Sequence, residues 1–374
     1  IQVLGLTTAA APLRNAGFSP LGFRDILRPE DTRAIQHGTR LAEEMHQGNK
    51  VKSLEESIAY LGLSYADLED QRGIEAAQQE FERIGRQSFL PLNPLRRFFD
   101  WLQPDVLLTT NSPRAELASI RIAAERGIPS VGVLDLFGLG SHNDIPADYV
   151  CVPFQQAADN LVNRGLQRSA MTVTGNPNFD WVYQSSITES NAPVWRQDHQ
   201  IQTDDLLALY AMKPGWDEVE ELIVCCLERA LALKPELKVS IRPHPNSNRL
   251  GAAAFLDDTT PLPLATEACD ILITHKSTVA VEAALFGKQV ALFNSNRDYS
   301  SYAIPLNLYD WGTFSTTVEE GTKVLTSLQK DSEEVRQQRG AKVRKAWNCD
   351  GLCHKRIAKV VIQALVPKTK DKVA

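Results

Sequence analysis

Short apolar runs recur along the chain, separated by stretches whose apolar positions fall at helical spacing. In the first half these runs are Ile1–Leu6 (IQVLGL), PLGFRD around Leu21–Asp25, Asp105–Thr110 (DVLLTT), Ser130–Asp135 (SVGVLD), Tyr149–Pro153 (YVCVP) and MTVTG ending at Gly175. Each reads as a strand followed by a turn or helix. Between Pro29 and about Phe89 the pattern is helical throughout and rich in Glu and Gln, which predicts a helical insertion or a lid. Residues Gln184–Thr203 turn polar and irregular and read as a linker. A second series follows, with strands at Leu206–Met212, Lys238–Pro243, Asp270–Thr274 and Gln289–Asn294. Its helices are expected at Trp216–Leu233 and Thr278–Phe286, with a helical ending over Thr317–Leu365 and a frayed tail. Such alternation is the signature of parallel sheets covered by helices. The expected fold class is α/β, with two Rossmann-like domains facing across a cleft. The first spans 1–185 with the insertion at 29–89, the linker 186–203, and the second domain 204–374.

Composition narrows the classes. With 374 residues, 43% hydrophobic and 23% charged, the chain is globular and long enough for two cores, neither disordered nor a disulfide-stapled mini-protein. A net charge of −6 argues against a wrapped nucleic acid as partner. No apolar stretch approaches the roughly 20 residues that span a bilayer, and no signal-peptide pattern opens the chain, so a soluble cytoplasmic protein is expected. Four of the six cysteines sit in apolar patterns. Cys349, Cys353 and His354 have a metal-like spacing but no second Cys/His pair, so no metal site is expected.

Ligands of open α/β folds bind beyond the carboxyl ends of the strands, and four loops there carry chemistry. Gly175-Asn176-Pro177-Asn178 follows MTVTG; it is either a ligand-contacting turn or a plain strand-to-linker turn. Lys213-Pro214-Gly215-Trp216 follows LLALYAM, where open N–H groups and the Lys213 charge suit an anion, or where ordinary helix-start chemistry suffices. In Arg242-Pro243-His244-Pro245-Asn246 two prolines hold Arg242 and His244 at defined places, fit to donate to a pyrophosphate. His275-Lys276-Ser277-Thr278 opens a helix, so the two hydroxyls and free N–H groups can cradle phosphates; Glu282 is placed to reach a ribose diol. The plain alternative is an N-cap serine and a solvated glutamate.

These residues resemble a family pattern. IRPHPN and DILITHKSTVAVEAALFGKQVALFN are similar to the donor-binding domain of GT-B-fold glycosyltransferases. Within that superfamily the nearest are glycerophosphotransferase-like and capsule-polysaccharide transferases and UDP-N-acetylglucosamine 2-epimerases. The resemblance implies that Ser277, Thr278 and Glu282 bind the nucleotide diphosphate, with Asn176, Lys213, Gly215, Arg242, His244, Asn246 and His275 completing the donor site. His244-Pro245 matches the His-Pro pair of the glycerophosphotransferase type, and Gly175, Asn176 and Asp180 match a turn of the epimerases. AWNCDGLCHKRIAKVVIQAL resembles the closing helix of the transferases. The epimerases carry a His-Glu-Ala-Gly-like segment where this chain reads Val133-Leu134-Asp135-Leu136-Phe137-Gly138, and a Gly-Asp-Thr-like turn where it reads Thr110-Asn111-Ser112-Pro113. Their acid/base carboxylates are not reproduced, which ranks transferase first and epimerase second.

The expected activity is therefore transfer of a glycosyl or glycerophosphoryl group from a nucleotide-activated donor, such as a UDP-sugar, to an acceptor hydroxyl in cell-surface glycan synthesis. Asp135 or His142 is the expected base, with His244 also a catalytic candidate at the leaving diphosphate. Neither metal nor cofactor is implied. The implied partners are the nucleotide-linked donor and a glycan or lipid-linked acceptor, compatible with peripheral contact at the inner membrane face and with a homodimer. A non-catalytic nucleotide-sugar-binding protein is the third reading. GT-B first domains usually open with a strand, a glycine-containing loop and a helix, and the run from Ile1 reads like the second strand onward, so such a unit is expected upstream.

Overall fold

The structure, a computed structural model, describes residues 1–6, 9–45, 53–110, 114–135, 137–138, 145–187, 190–212, 217–243, 255–256, 260–275, 277–294 and 312–366. Its elements run α1 (Ala10–Asn15), α2 (Thr32–Met45), α3 (Leu54–Arg72), α4 (Ile74–Ile84), α5 (Leu92–Leu102), β1 (Leu107–Thr109), α6 (Ala115–Glu125), β2 (Ser130–Val133), β3 (Tyr149–Val152), α7 (Gln155–Asn163) and β4 (Met171–Val173). Then follow α8 (Asp180–Ile187), α9 (Ala192–Asp198), β5 (Leu206–Ala211), α10 (Asp217–Leu233), β6 (Leu237–Arg242), β7 (Phe255–Leu256), α11 (Leu262–Ala268), β8 (Ile271–Thr274), α12 (Val279–Leu285) and β9 (Gln289–Phe293). The chain ends in β10 (Gly312–Ser315), α13 (Val318–Ser327), α14 (Glu333–Ala346) and α15 (Cys353–Leu365). Among the described residues the strands form a four-stranded sheet of order β1-β2-β3-β4 and a six-stranded sheet of order β10-β9-β8-β5-β6-β7. With their flanking helices they make two Rossmann-like lobes. Two compact units are distinguished, Ile1–Val133 with Asp144–Val150 and Lys359–Ala374, and Leu134–Asn143 with Cys151–Ala358.

The first unit departs from the sequence reading in two places. IQVLGL and PLGFRD make no strands; a single parallel bridge joins Leu4 and Leu21, and Phe23–Asp25 turns into a 3-10 helix. Glu56 accepts from the N–H groups of Phe23 at 2.9 Å and Arg24 at 3.1 Å, and Phe23 is fully buried, so the chain bends inward before a ladder can extend. Nor is the helical stretch a lid. It supplies the core of its unit, since α3 is buried continuously from Ala59 to Glu69 and packs against α2, α4 and α5. The α2 and α3 backbones touch at two glycines, where an added Cβ would lie 2.1 Å from the Ile58 carbonyl (Gly38) and 2.0 Å from that of Ala34 (Gly62). Around them Phe23, Tyr60, Phe81 and Phe89 meet ring to ring, with centroids 5.3 Å apart for Phe23 and Tyr60 and 5.4 Å for Phe81 and Phe89.

In the second unit β5, β6, β8 and β9 fall where the apolar runs predict them. Two edge strands escape the pattern. β7 is two residues long, and β10 is GTFS, with one large apolar residue; strands this short carry too few positions for a period to show. The polar stretch around 184–203 is largely helical, in α8 and α9. Trp195 of α9 is buried, its indole N–H donating to Thr260 Oγ1 at 2.9 Å. Arg196, one residue on, forms a buried pair with Asp270 at 3.0 Å and also donates to the Asp205 carbonyl at 2.8 Å. Polar composition there reflects capping and pairing to the sheet. The helical ending divides into α13, α14 and α15, with Thr317 and Ser332 capping the first two. Among the described residues no helix is long and apolar enough to cross a membrane.

Candidate functional site

The six-stranded sheet is parallel in all its pairings, so every strand's carboxyl end lies along one edge. From β5 the chain moves outward to β6 and β7, then returns to the other side of β5 for β8, β9 and β10. The direction of winding therefore reverses between β5 and β8. At such a switch point the connections leave the edge in opposite directions and open a crevice for ligands. Register places the flanking groups: Ala211 pairs with Arg242, and Tyr210 with Ile273. Thr274 Oγ1 donates to the Ala211 carbonyl at 2.9 Å, tying β8 to β5 where the crevice begins.

The turn from β8 into α12 opens at this point. Thr278 stands at the N-cap with helical backbone angles (φ −62°, ψ −19°), and its side chain caps nothing. The carbonyls of Ser277 and Thr278 already accept from the N–H groups of Ala280 and Val281, at 3.1 and 2.9 Å. Their hydroxyls make no hydrogen bond among the described residues, with Thr278 exposed and Ser277 half-buried. Behind them α12 buries Val279, Ala280, Val281, Ala283, Ala284 and Leu285, which leaves Glu282 as its one polar position. Glu282 is half-buried with no hydrogen-bond partner among the described residues, and burial pushes its carboxyl up to about 7. A carboxyl so placed is stabilised by O–H donors, the groups that a ribose diol presents.

The remaining expected residues fall out unevenly. Arg242 ends β6 half-buried, with its guanidinium donating to the Thr260 carbonyl and its own carbonyl accepting from Met212 N–H at 3.0 Å. His275 directly follows β8 and is fully buried. Lys213, Gly215, His142, His244 and Asn246 lie outside the described residues.

The turn after β4 is built differently. Asn176 is buried; its carboxamide accepts from Asn178 N–H at 2.9 Å and donates to the Asp135 carbonyl at 3.2 Å. Asn176 thus holds Asp135, which lies two residues beyond β2 with its side chain partly exposed. Asp180 accepts from the N–H groups of Cys353 and His354, both at 3.1 Å, and lies 2.8 Å from His354 Nδ1, so it caps α15. Burial raises the Asp180 carboxyl, but the hydrogen bonds from Cys353 and His354 outweigh it and the net shift is downward. Sequence reasoning missed Arg356, whose guanidinium joins the Thr174 carbonyl (2.7 Å), the Asn348 carbonyl (2.7 Å) and the Asp350 carboxylate (2.9 Å). Asn348 and Asp350 are near in the chain, but an arginine in a closing helix carries no local signal of the Thr174 carbonyl 182 residues away.

Fold and sheet topology together define a protein of GT-B-like architecture. No family model matches the chain, and no curated protein is similar to it in sequence. Solved structures are similar in fold. UDP-GlcNAc 2-epimerase from Neisseria meningitidis, bound to UDP-GlcNAc, is 16% identical with a TM-score of 0.55, over 90% of this chain and 98% of that one. MnaA of S. aureus, solved with UDP, is 17% identical with a TM-score of 0.54, over 91% and 95%. The Methanocaldococcus jannaschii UDP-GlcNAc 2-epimerase in complex with UDP-GlcNAc and UDP is 14% identical with a TM-score of 0.52, over 73% and 79%. Identities this low establish the shared fold. Among the described residues no group of three or more His, Cys, Asp or Glu could hold a metal ion.

Proposed function

We propose that this protein binds a nucleotide-linked sugar at the β5/β8 switch point and acts on it as a 2-epimerase of the UDP-N-acetylglucosamine type. The observation that carries the binding reading is the β8–α12 turn, where among the described residues two hydroxyls and the half-buried Glu282 carboxyl have no partner, at the place where this topology receives ligands. Ser277, Thr278 and Arg242 donate to the diphosphate, and Glu282 accepts from the ribose. The epimerase assignment is supported by likeness to UDP-GlcNAc 2-epimerases along 98% of the Neisseria meningitidis chain.

Inversion at C2 leaves the atom count unchanged: a base removes the C2 proton and a proton returns to the opposite face. The C2–H bond has no adjacent carbonyl to acidify it. Departure of the diphosphate from C1 is what makes the proton removable, leaving a C1–C2 double bond. The retained diphosphate then re-forms its bond to C1 as the proton is delivered to the opposite face of C2, so donors on the diphosphate act on the bond that breaks and re-forms. Asp135 is the proposed base.

Incubation with UDP-GlcNAc in deuterated water tests this by NMR. The manno epimer carrying deuterium at C2 is expected. Glycosyl transfer is the second reading, favoured by the segments at Val133–Gly138 and Thr110–Pro113 that depart from the epimerase pattern. It predicts UDP release only when an acceptor hydroxyl is added. A thermal-shift screen showing no response to UDP-, CDP-, GDP- or CMP-linked sugars overturns both.

A further inference from the structure

A second polar region lies at the opposite edge of the six-stranded sheet. Asp205, Asp270 and Lys288 immediately precede β5, β8 and β9, so they mark the amino ends of those strands. A groove of about 1140 Å³ opens there, walled by α9 on one side and α14 on the other, somewhat larger than the roughly 300–1,000 Å³ of most small-molecule sites. Arg196, Lys288, Lys330, Arg336 and Arg344 all reach its wall.

The charges are not matched. Asp270 is occupied by Arg196 at 3.0 Å and by the Leu207 N–H at 2.8 Å, and Glu333 pairs with Arg336. Among the described residues the other three cations meet carbonyls and no carboxylate within ion-pair distance. Lys288 donates to the Glu267 carbonyl at 2.5 Å, Arg344 to that of Leu285 at 2.7 Å, and Lys330 to those of Thr203 and Asp205, the latter at 3.2 Å. Burial pushes the Lys288 ammonium down to about 8 and lowers Lys330 and Arg344. Arg336 lowers both lysines further, joined by Arg196 at Lys330, while Asp270 acts on both, and Glu267 on Lys288, in the opposite sense. Five cations thus line the groove against three carboxylates, Glu267, Asp270 and Glu333, and partly desolvated ions in such excess favour an added anion.

We infer that this groove is a second anion site that takes a pyrophosphate-bearing small molecule. Against an excess of two cations, a monoanion leaves one uncompensated. A pyrophosphate brings several charges on one compact group and enough acceptor oxygens for two ammonium groups and a guanidinium. Tyr183 and Phe286 add ring surface to the same wall, which suits a nucleoside attached to the pyrophosphate. The site is separate from the switch-point crevice, and the inference stands whether or not the epimerase reading holds.

Lysine acetylation rates, read by mass spectrometry on the whole protein, test it residue by residue. Lys330 is exposed enough to label, and Lys355, an exposed lysine of α15, serves as reference. Inorganic pyrophosphate at millimolar concentration is expected to slow labelling of Lys330 several-fold, in proportion to its occupancy, and to leave Lys355 unchanged. Arg336→Gln, checked for an unaltered melting temperature, is expected to reduce that protection. UDP and inorganic pyrophosphate form separate arms. Protection by both assigns a nucleotide source, and protection by pyrophosphate alone assigns the bare anion. Unprotected Lys330, equal slowing at Lys355, equal slowing by sodium chloride of matched ionic strength, or full protection in Arg336→Gln overturns the proposal.

Discussion

Two turns of the second unit invite the same reading and have opposite structures. Gly175-Asn176 after β4 and Ser277-Thr278 after β8 both place small polar residues just beyond a strand. At the first, the buried polar groups are turned inward: Asn176 binds Asn178 and Asp135, Asp180 caps α15, and Arg356 fastens the Thr174 carbonyl. At the second, the hydroxyls and the Glu282 carboxylate are left without partners among the described residues. A turn's composition thus marks where polar groups gather, while hydrogen-bond accounting separates those that hold the fold from those open to a ligand.

Substitutions at the two turns are expected to separate along the same line. The largest effect is expected from Gly175→Ala. Its φ of +81° disfavours a side chain, and the new Cβ would lie 2.4 Å from Cys353 Sγ, so a loss of roughly 2–4 kcal/mol is expected by denaturant unfolding. Asp180→Ala comes next, at about 2–3 kcal/mol, because two α15 amides lose their acceptor. The folded state holds this carboxyl below its ordinary value of 3.8, so its contribution is present above that pH and disappears as pH falls through the lowered value. Wild type and Asp180→Ala should therefore converge in acid; a constant gap would show that the carboxylate charge contributes nothing.

Glu282→Gln is expected to act in the other direction. Its folded carboxyl is raised from 4.5 to about 7, so the cost of burying the charge sets in as pH rises through that window and is fully present above it. At pH ~8 the Gln variant should be more stable by on the order of 1 kcal/mol, discounted for partial exposure, with no difference near pH ~4. Measured midpoints that move in parallel across this range would break the assignment. The smallest stability effect belongs to Ser277→Ala and Thr278→Ala, within about 0.5 kcal/mol of wild type. Nucleotide affinity should nevertheless fall about tenfold, as loss of a hydrogen bond to a charged group requires. Calorimetry showing unchanged affinity in both, and in Glu282→Gln, would remove the site from this turn.

Much of the fold is legible in the chain because strand and helix patterns are local. β5, β6, β8 and β9 show as apolar runs buried on both faces, and α12 as a small-residue helix between two of them. The regions read wrongly are those where distant groups override the pattern. Glu56 turns Phe23 inward from 33 residues away, and the apparent lid is a core because Gly38 and Gly62 let two helix backbones meet. In the candidate site, Ser277, Thr278 and Glu282 stand out by their spacing. The inward role of Asn176 was not, since its partner Asp135 is 41 residues distant.

Local pattern in the chain is enough for the α/β class, the placement of most strands, and the polar residues that could stand at their ends, because periodicity, glycine and proline act over a few neighbouring residues. Packing sets the strand order that puts the switch point between β5 and β8, which of those polar residues have no partner among the described residues, and the meeting of Lys288, Lys330 and Arg344 in one groove. These depend on contacts between segments far apart in the chain, and burial, hydrogen-bond satisfaction and charge are settled only when such segments pack.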